Sequence, residues 1–320
     1  MGAAVSAGPD IVRYALDDGV RDVLAKELDD RLADAHLLDP DTDGAILATV
    51  GASALRQHLP CELVAELGGF RARQGSVLVL QNLPRHDAPP TPVGGFTPEA
   101  ALAPVNALHL GLVRLLEATP FAVPYENRGR LMRNVVPNPA ATGTTSSWGS
   151  DAEFFWHTDN PHLPFGEPGH DPRPYVPRHL AFLALRNSER VPTDVVGVDP
   201  VLARLAPAVR EALTRPEFEI GAPASIKLGA PPPVRGAVLE HSGATARLRY
   251  DHGTTRGLTA RAAAALDELA EALSGADAEQ FVLRPGDFLF FDNYRVLHRR
   301  RAFTPGPKAG ARWLRRCYAS

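Results

Sequence analysis

Cysteine is scarce in this sequence: only Cys61 and Cys317 occur among its 320 residues. A chain of this length buries roughly 75% of its unfolded surface, so it does not need disulfides for stability. Two cysteines are too few for the disulfide framework of a secreted protein, which favours a reducing, cytoplasmic environment. Neither cysteine lies near the candidate motif described below, which disfavours zinc–thiolate sites and iron–sulfur clusters.

The sequence also lacks an excess of basic charge and any long apolar run. Its 34 Lys and Arg residues against 37 Asp and Glu residues give a formal net charge of -3. This balance predicts no phosphate-binding surface and no nucleic-acid partner. No stretch approaches the roughly 18 consecutive apolar residues of a membrane span, and no basic segment followed by an apolar one opens the chain. We therefore expect neither a membrane protein nor export by the usual signal, and the oligomeric state stays open.

Helical periodicity dominates the beginning of the sequence. The segments DDGVRDVLAKELDDRLADA and SALRQHLPCELVAELGGF place apolar residues three and four apart, which predicts that the first 80 residues are helical. The apolar run 77–80 predicts a buried strand, and another helix is predicted over 105–116. Later, DPVLARLAPAVREALT and TARAAAALDELAEALSG each predict a helix. The second should begin after Thr259 as N-cap and end at Gly275.

After residue 130, short strand-like segments alternate with long loops rich in Pro, Gly and Ser. These segments are RLMRNVVPN, EFFWHTD, HLAFLALRN, RLRYD, FVLRPGDFLFFDN and WLRRCYA. Short strands after a helical start predict a mainly β protein, a β-sandwich or jelly roll with flanking helices, rather than alternating β–α units. No linker is long enough to divide the chain. We expect a single domain, 1–320, with a mostly helical N-terminal region (residues 1–120) packed on a jelly-roll core (residues 121–320).

The stretch FFWHTDNPHLPF, residues 154–165, contains the first candidate site. Residues two apart on a strand share a face, so His157 and Asp159 would present an imidazole and a carboxylate to the same side. Because the sequence contains eleven histidines, this pair alone is weak evidence, and a polar strand residue satisfied in the core would explain it. Downstream, LRPGDFLFFDNYRVLHRRRAF places His298 near a strand end. Two histidines and one carboxylate form the facial triad that leaves three positions open on iron(II).

A third segment, GARWLRRCYA, supplies Arg312, Arg315 and Arg316 on an extended stretch. A guanidinium binds a carboxylate through two parallel hydrogen bonds, so an arginine on a strand beside a metal is suited to anchor a dicarboxylate. The alternative is a solvated basic strand end.

Taken together, His157-Thr158-Asp159, His298 and Arg312 resemble the iron(II)- and 2-oxoglutarate-dependent oxygenases, specifically the clavaminate synthase-like group that contains β-hydroxylases of free arginine and asparagine. The resemblance covers residues 125–318, through ENRGRLMRNVVPNP, SSWGS, WHTDNPH, FLALRN, PGDFLFFDNYRVLH and RWLRRCY. It implies a double-stranded β-helix in which His157, Asp159 and His298 bind iron(II). It further implies that Arg312 holds the distal carboxylate of 2-oxoglutarate and that dioxygen is the oxidant.

The same resemblance implies residues that bind the co-substrate and the substrate. Thr193 would hydrogen-bond 2-oxoglutarate, and Arg316, on the strand face of Arg312, would bind the substrate carboxylate while Arg315 points away. Four further residues are implied as substrate contacts, although a loop or turn position would explain each of them: Glu126, Asn127, Ser150 and Asp251. A buried Asp251 would need a cationic partner, which modestly favours a basic amino acid.

The predicted function is hydroxylation of an unactivated C–H bond of a free L-amino acid, and the resemblance implies specialised metabolism such as antibiotic biosynthesis. The alternatives are desaturation, ring closure or oxidation of another small molecule on the same scaffold, and a non-catalytic jelly-roll binding module. The Pro/Gly-rich loop 161–178 begins beside a ligand, so it is predicted to form a lid over the substrate. Many members of the group carry glutamate at the position of Asp159. The aspartate in this sequence is the shorter of the two ligands.

Overall fold

The computed structural model of the protein describes residues 9–34, 37–144, 147–150, 152–166, 174–223, 226 and 231–320. Within these residues the chain forms seven α-helices, which are α1 (Asp18–Arg31), α2 (Pro40–His58), α3 (Cys61–Gly69), α4 (Ala103–Leu115), α5 (Val198–Ala203), α6 (Pro207–Leu213) and α7 (Ala260–Ser274). The described residues also form sixteen β-strands, which are β1 (Ile11–Ala15), β2 (Val77–Gln81), β3 (Pro120–Phe121), β4 (Met132–Val135), β5 (Phe154–His157), β6 (His179–Arg186), β7 (Thr193–Gly197), β8 (Phe218–Ile220), β9 (Val234–Gly236), β10 (Leu239–Ser242), β11 (Thr245–Leu248), β12 (Thr255–Gly257), β13 (Glu279–Phe281), β14 (Phe288–Asp292), β15 (Val296–Arg300) and β16 (Trp313–Ala319). Among the described helices, none combines the length and apolar character needed to cross a membrane.

Seven strands form the main sheet, in the order β1-β2-β14-β6-β16-β3, with β4 also paired to β16. Its strand pairs are antiparallel apart from β1 with β2. The central strands β6 and β14 have the nearly continuous apolar sequences HLAFLALR and FLFFD. Such sequences are typical of strands that are covered on both faces. One face of this sheet packs on helices α1–α4, and the other packs on a second sheet.

The second, smaller sheet has the order β13-β7-β15-β5 and is antiparallel throughout. Its residues Val195 and Val296 pack against Leu180, Phe291 and Leu314 of the main sheet. Its opposite face packs against helices α5, α6 and α7 in another core cluster. The smaller sheet is therefore held between the main sheet and a helical layer, which makes it a rigid support for side chains on β5 and β15.

Helices α2 and α4 meet at two glycines, Gly51 and Gly111. A Cβ atom on Gly51 would lie 1.8 Å from the carbonyl oxygen of Ala107, and one on Gly111 would lie 2.5 Å from the backbone of Gly51. Because no side chain fits at either position, the two helices can pack this closely only with glycine there. Helix α4 in turn covers the main sheet, where the ring of His109 meets Phe288 edge-on at 5.5 Å.

The prediction of a mainly β protein with flanking helices is confirmed, with three local corrections. The first 80 residues are not wholly helical, because Ile11–Ala15 forms an edge strand parallel to Val77–Gln81. The helix predicted through SALRQHLPCELVAELGGF is interrupted at Pro60, since a residue that precedes proline is disfavoured in the helical conformation; α2 ends at His58. The helix predicted in DPVLARLAPAVREALT is split into α5 and α6, the second starting at Pro207.

Two helix predictions are confirmed closely. The helix predicted over 105–116 is α4. At the start of α7, Thr259 is the N-cap and its Oγ1 accepts a hydrogen bond of 3.1 Å from the Ala262 N–H. The helix ends at Ser274, followed by Gly275 as predicted.

Candidate functional site

Three side chains that are far apart in the sequence converge at the smaller sheet. His157 on β5 and His298 on β15 are opposite each other in the register of the two strands, and their ring centroids are 4.1 Å apart. Asp159 Oδ1 lies 3.4 Å from His157 Nε2 and 3.9 Å from His298 Nε2. One donor atom from each residue lies within 4.8 Å of the others, and all three residues are buried. Ligand atoms that share one octahedral ion at about 2.1 Å are about 3 Å apart, so the cluster has the dimensions of a single-ion site.

Asp159 follows the strand rather than lying in it. Strand β5 ends at His157, two residues before the end of the predicted segment EFFWHTD. Thr158 points elsewhere, because its Oγ1 donates to the Leu248 carbonyl at 2.8 Å. The Asn293 side chain holds the backbone of Asp159, accepting from its N–H at 3.1 Å and donating to its carbonyl at 3.3 Å. These contacts keep the Asp159 side chain on the same side of the smaller sheet as His157, although strand β5 has ended.

The donor atoms of His157 are arranged for a metal ion. Its Nδ1 lies 2.7 Å from the Phe155 carbonyl oxygen, which assigns the proton to Nδ1 and leaves a lone pair on Nε2. That Nε2 is buried and has no hydrogen-bond partner among the described residues, a state that buried nitrogens rarely adopt. Phe154 stacks on the ring at 3.7 Å and fixes its plane. Two imidazoles and one carboxylate suit iron(II), so the residues present fit a ferrous ion.

Burial and neighbouring charges set the protonation states of these side chains. Burial raises the pKa of Asp159, but the Arg316 guanidinium and the two imidazoles outweigh it and hold that pKa well below its ordinary value. Burial and then the proximity of His157 lower the pKa of His298 well below its ordinary value. An ionised carboxylate and a neutral imidazole are the forms that bind a metal ion.

The three side chains open into a cavity of about 40 Å³. Its other lining residues are Val135, Ser147, Phe154, Phe182, Thr193, Arg299, Arg300, Arg312 and Arg316. Three aliphatic or aromatic side chains and four arginines therefore surround the candidate metal centre, which favours an anionic ligand beside it.

Arg312 lies immediately before β16 and is buried, with 3% of its surface exposed. Its backbone N–H donates to Glu189 Oε1 at 3.1 Å. Its Nε has no hydrogen-bond partner, and its guanidinium forms no ion pair within the described residues. Burial and then the charge of Arg300 lower the pKa of Arg312 to about 9. The charged guanidinium is thus in an unfavourable environment that a bound anion would relieve.

Arg316 lies on β16 and binds two carboxylates. Its NH1 donates to Asp159 Oδ2 at 2.8 Å, and its NH2 donates to Glu126 Oε1 at 2.6 Å. Glu126 also accepts from Arg133 NH1 at 3.2 Å and from the Tyr318 hydroxyl at 3.0 and 3.1 Å. Two guanidinium and two carboxylate groups therefore balance their charges in this buried cluster.

Arg315 points to the opposite face of β16, as predicted. Its NH1 and NH2 donate to the two Glu99 oxygens at 3.2 and 2.5 Å, and NH2 also donates to Asn106 Oδ1 at 2.6 Å. This second buried cluster lies between the main sheet and α4, where it supports the strand that carries Arg316.

The remaining predicted residues differ in their relation to the cavity. Thr193 begins β7 and lines it, whereas Asn127, Ser150 and Asp251, like Glu126, are absent from the described lining. The Asn127 Nδ2 donates to the carbonyl oxygens of Arg130 and Met132, at 3.2 and 3.0 Å. Asp251 Oδ1 accepts from two backbone N–H groups of the turn that follows, at 2.7 and 3.1 Å. Substrate contact by these three side chains stays a prediction.

The predicted lid loop 161–178 includes residues 167–173, which lie outside the described residues. Its described ends are joined by Tyr294, whose hydroxyl accepts from the Gly166 N–H and donates to the Val176 carbonyl, both at 2.9 Å. Phe165 and Val176 also form a β-bridge. The two ends of the loop are thus held together at the turn between β14 and β15.

Three side chains at the site were not predicted, namely Arg300, Asn160 and Tyr318. Strand alternation offered a signal for two of them, since Arg300 is two residues after His298 and Tyr318 is two residues after Arg316. Asn160 has a positive φ of 56°, and its Nδ2 donates to the Tyr318 hydroxyl at 3.0 Å. Its orientation depends on that local backbone conformation, for which the sequence offers no comparable signal.

Comparisons with known proteins agree with this geometry. Residues 196–318 match the family model described as taurine catabolism dioxygenase TauD, TfdA family. The chain is 33% identical over 270 residues to an L-asparagine oxygenase of Streptomyces coelicolor, which covers 81% of this chain and 76% of that protein. It is 26% identical over 294 residues to an enduracididine beta-hydroxylase of Streptomyces hygroscopicus, covering 81% of each. A solved structure of asparagine oxygenase with Fe(II), 2S,3S-3-hydroxyasparagine and succinate has a TM-score of 0.80 at 28% identity, covering 96% of this chain and 92% of that one.

Proposed function

The chain belongs to the TauD and TfdA family of dioxygenases, and from that membership we propose that it uses iron(II), 2-oxoglutarate and dioxygen to hydroxylate an unactivated C–H bond of a free L-amino acid. One observation carries the proposal. The cluster of His157, Asp159 and His298 opens into the same cavity as Arg312, a buried guanidinium without an ion-pair partner among the described residues. A non-catalytic binding module has no need for both features.

The proposed iron ligands, and hence the catalytic centre, are His157, Asp159 and His298. Their convergence supports this role, as do the unpartnered Nε2 of His157 and the depressed pKa values of the other two. When bound, iron with 2-oxoglutarate and dioxygen supplies the oxidant that converts C–H to C–OH, while the oxoacid is released as succinate and carbon dioxide. The protein contributes two ligands on adjacent strands of a well-packed sheet and a cavity lined by apolar side chains and arginines.

Arg312 is the proposed anchor for the distal carboxylate of 2-oxoglutarate, with Thr193 as a hydrogen-bonding partner. Both residues line the cavity that contains the candidate metal centre. Charge-assisted, bidentate binding is the strongest interaction that a guanidinium offers a carboxylate, and the burial of Arg312 increases it. Glu189 supports the arrangement, because it accepts hydrogen bonds from the backbone N–H groups of Gly306 and Arg312 at 2.8 and 3.1 Å.

The substrate is proposed to be a free L-amino acid whose carboxylate binds Arg316 and whose amino group lies near Glu126. The relative at 33% identity is an L-asparagine oxygenase, which supports this substrate class. A preference for a basic side chain is only weakly supported. It depended on an unpaired carboxylate at Asp251, and this group accepts two backbone hydrogen bonds in its own turn. Asn127 and Ser150 are further proposed substrate contacts.

We propose that the two facing sheets form a double-stranded β-helix within one domain, 1–320, whose mostly helical N-terminal region (residues 1–120) packs on the core (residues 121–320). The packing of the smaller sheet on the main sheet supports this assignment. The loop 161–178 is the proposed lid, and the closure of its base by Tyr294 supports that role. We also propose a cytoplasmic location, supported by the two free cysteines, and a role in specialised metabolism such as antibiotic biosynthesis.

The proposed function is tested with metal-free protein reconstituted anaerobically with iron(II), then given 2-oxoglutarate, dioxygen and single L-amino acids. We expect one amino acid to stimulate succinate formation and to gain one oxygen atom in equal amount. An oxidised product that lacks two hydrogens instead would identify desaturation or ring closure. A His298→Ala variant is the matched control and should form neither succinate nor product. The proposal fails if no amino acid raises succinate above the level without substrate.

A further inference from the structure

Arg316 connects the candidate metal centre to Glu126 through one guanidinium group. Arg316 NH1 lies 2.8 Å from Asp159 Oδ2, and NH2 lies 2.6 Å from Glu126 Oε1. All three residues are buried, with exposures of 5 to 6%. The guanidinium also lies over the Tyr318 ring, at 3.9 Å from its centroid. A group held on three sides in this way has little freedom to move.

The two oxygens of Asp159 have separate partners. Oδ1 faces the imidazoles, at 3.4 Å from His157 Nε2 and 3.9 Å from His298 Nε2. Oδ2 is occupied by Arg316 NH1. Rotation about the last side-chain bond of aspartate is broad, so a carboxylate keeps one orientation only when an outer partner fixes it. Arg316 is that partner.

Arg316 is itself fixed from behind by Glu126. The two Glu126 oxygens accept from the Tyr318 hydroxyl at 3.1 and 3.0 Å, and Oε2 accepts from Asn160 Nδ2 at 2.8 Å. Asn160 directly follows Asp159, so the contacts form a closed ring that returns to the loop carrying the candidate ligand. Displacing Arg316 would therefore require breaking several buried, charge-assisted hydrogen bonds.

From this arrangement we infer that Arg316 is a positioning residue for the metal centre, and that it presents Asp159 to the ion through Oδ1 alone. The inference rests on the proposed function and adds a second role to the proposed binding of a substrate carboxylate. A carboxylate that engaged the ion through both oxygens would occupy one of the positions that a facial triad leaves open. Outer partners of this kind typically change metal affinity by about 10- to 100-fold.

The two roles of Arg316 are compatible. A guanidinium has five N–H groups, and the contacts with Asp159 and Glu126 use one on each of two nitrogens. The Nε of Arg316 is buried without a hydrogen-bond partner among the described residues. Donors thus remain for a carboxylate that enters the cavity.

Cobalt(II) titration of the metal-free, full-length protein tests the inference, since it measures both affinity and the visible absorption spectrum of the bound ion. Arg316→Gln removes a positive charge, so electrostatics alone predicts tighter cobalt binding. The positioning role predicts the opposite sign, about 10- to 100-fold weaker binding with a changed spectrum. The cobalt affinity of Arg316→Lys should lie between those of the wild type and Arg316→Gln, because an ammonium group cannot bind two carboxylates as a planar guanidinium does.

Arg312→Gln is the matched control. It removes the same charge from the same cavity, but Arg312 makes no hydrogen bond to Asp159 within the described residues, so cobalt should bind as tightly as in the wild type or more tightly. If Arg316→Gln does not fold, the pair Arg316→Gln with Glu126→Gln removes one charge of each sign and should show the same weakened binding.

Two results would overturn the inference in different ways. Cobalt binding by Arg316→Gln, or by the pair, that is as tight as or tighter than in the wild type overturns the positioning role alone. Failure of the wild type to bind cobalt through His157, Asp159 and His298 overturns the proposed function, and this inference with it.

Discussion

Arg312→Gln is expected to stabilise the metal-free protein. Arg312 is 3% exposed, its Nε has no hydrogen-bond partner, and its guanidinium forms no ion pair within the residues that the structure describes. A buried polar group without a partner costs about 1–3 kcal/mol, and a charged group more. Replacing the guanidinium with an amide leaves a buried polar group but removes the buried charge, so the free energy of unfolding should rise by about 1 kcal/mol or more.

The same substitution should nearly abolish 2-oxoglutarate binding. Removal of one partner from a buried, hydrogen-bonded charge pair costs about 2–5 kcal/mol. At about 1.4 kcal/mol per factor of ten, the dissociation constant for 2-oxoglutarate should rise by roughly 30- to 4,000-fold. Arg312→Lys keeps the charge but loses the two parallel hydrogen bonds, so its affinity for 2-oxoglutarate should lie between those of the wild type and Arg312→Gln.

Denaturant unfolding of the metal-loaded protein, with and without 2-oxoglutarate, measures both effects. At a concentration one hundred times the dissociation constant, 2-oxoglutarate should stabilise the wild type by about 2.7 kcal/mol and Arg312→Gln hardly at all. Arg315→Gln, on strand β16, which begins directly after Arg312, is the contrasting control. Because Arg315 is paired with Glu99, its loss should destabilise the protein by about 3–5 kcal/mol. The proposed role of Arg312 is wrong if Arg312→Gln destabilises the metal-free protein as Arg315→Gln does, or retains wild-type affinity for 2-oxoglutarate.

Three further outcomes are expected. Glu189→Ala removes the acceptor for the Arg312 backbone N–H, so the KM for 2-oxoglutarate should rise about 10-fold with a smaller change in kcat. An unchanged KM would contradict this. Burial and then the Arg315 charge lower the pKa of His109 to about 3, so between about pH 6.5 and pH 3 the unfolded chain binds a proton that the folded one does not. The free energy of unfolding should therefore decrease as the pH is lowered, by up to about 1.4 kcal/mol per pH unit. Unfolding curves across pH should show that His109→Gln loses this dependence. Tyr294→Phe removes the hydroxyl that joins the ends of the loop 161–178, and hydrogen exchange at Gly166 should accelerate; equal protection in both proteins would count against the closure.

The elements of the fold that follow local patterns were predictable from the sequence. Helix α7 has a regular apolar period and a capping threonine, Thr259, and both its limits were predicted. Strand β14 was predictable because FLFFD is too apolar and too short for a surface helix. Strand β1, by contrast, contains five residues and gains its pairing from β2, which lies more than sixty residues away. Local propensity does not encode a partner at that distance.

The candidate site shows the same division. His157 and Asp159 share a short motif, and strand alternation correctly assigned Arg315 and Arg316 to opposite faces of β16. The link between Arg316 and Glu126 spans 190 residues and depends on how β16 lies against the loop before β4. Such a contact is decided by tertiary packing. The sequence alone therefore predicted an arginine beside the metal, but not the hydrogen bond from Arg316 to Asp159.

In the proposed metal centre, His157, Asp159 and His298 hold one ferrous ion in the cavity that contains Arg312. Anomalous diffraction at the iron absorption edge, from crystals grown anaerobically with iron(II) and 2-oxoglutarate, tests it most directly. We expect a single iron peak within about 2.0–2.2 Å of His157 Nε2, Asp159 Oδ1 and an imidazole nitrogen of His298, with a 2-oxoglutarate carboxylate on Arg312. An iron peak bound elsewhere, or 2-oxoglutarate bound away from Arg312, would contradict it.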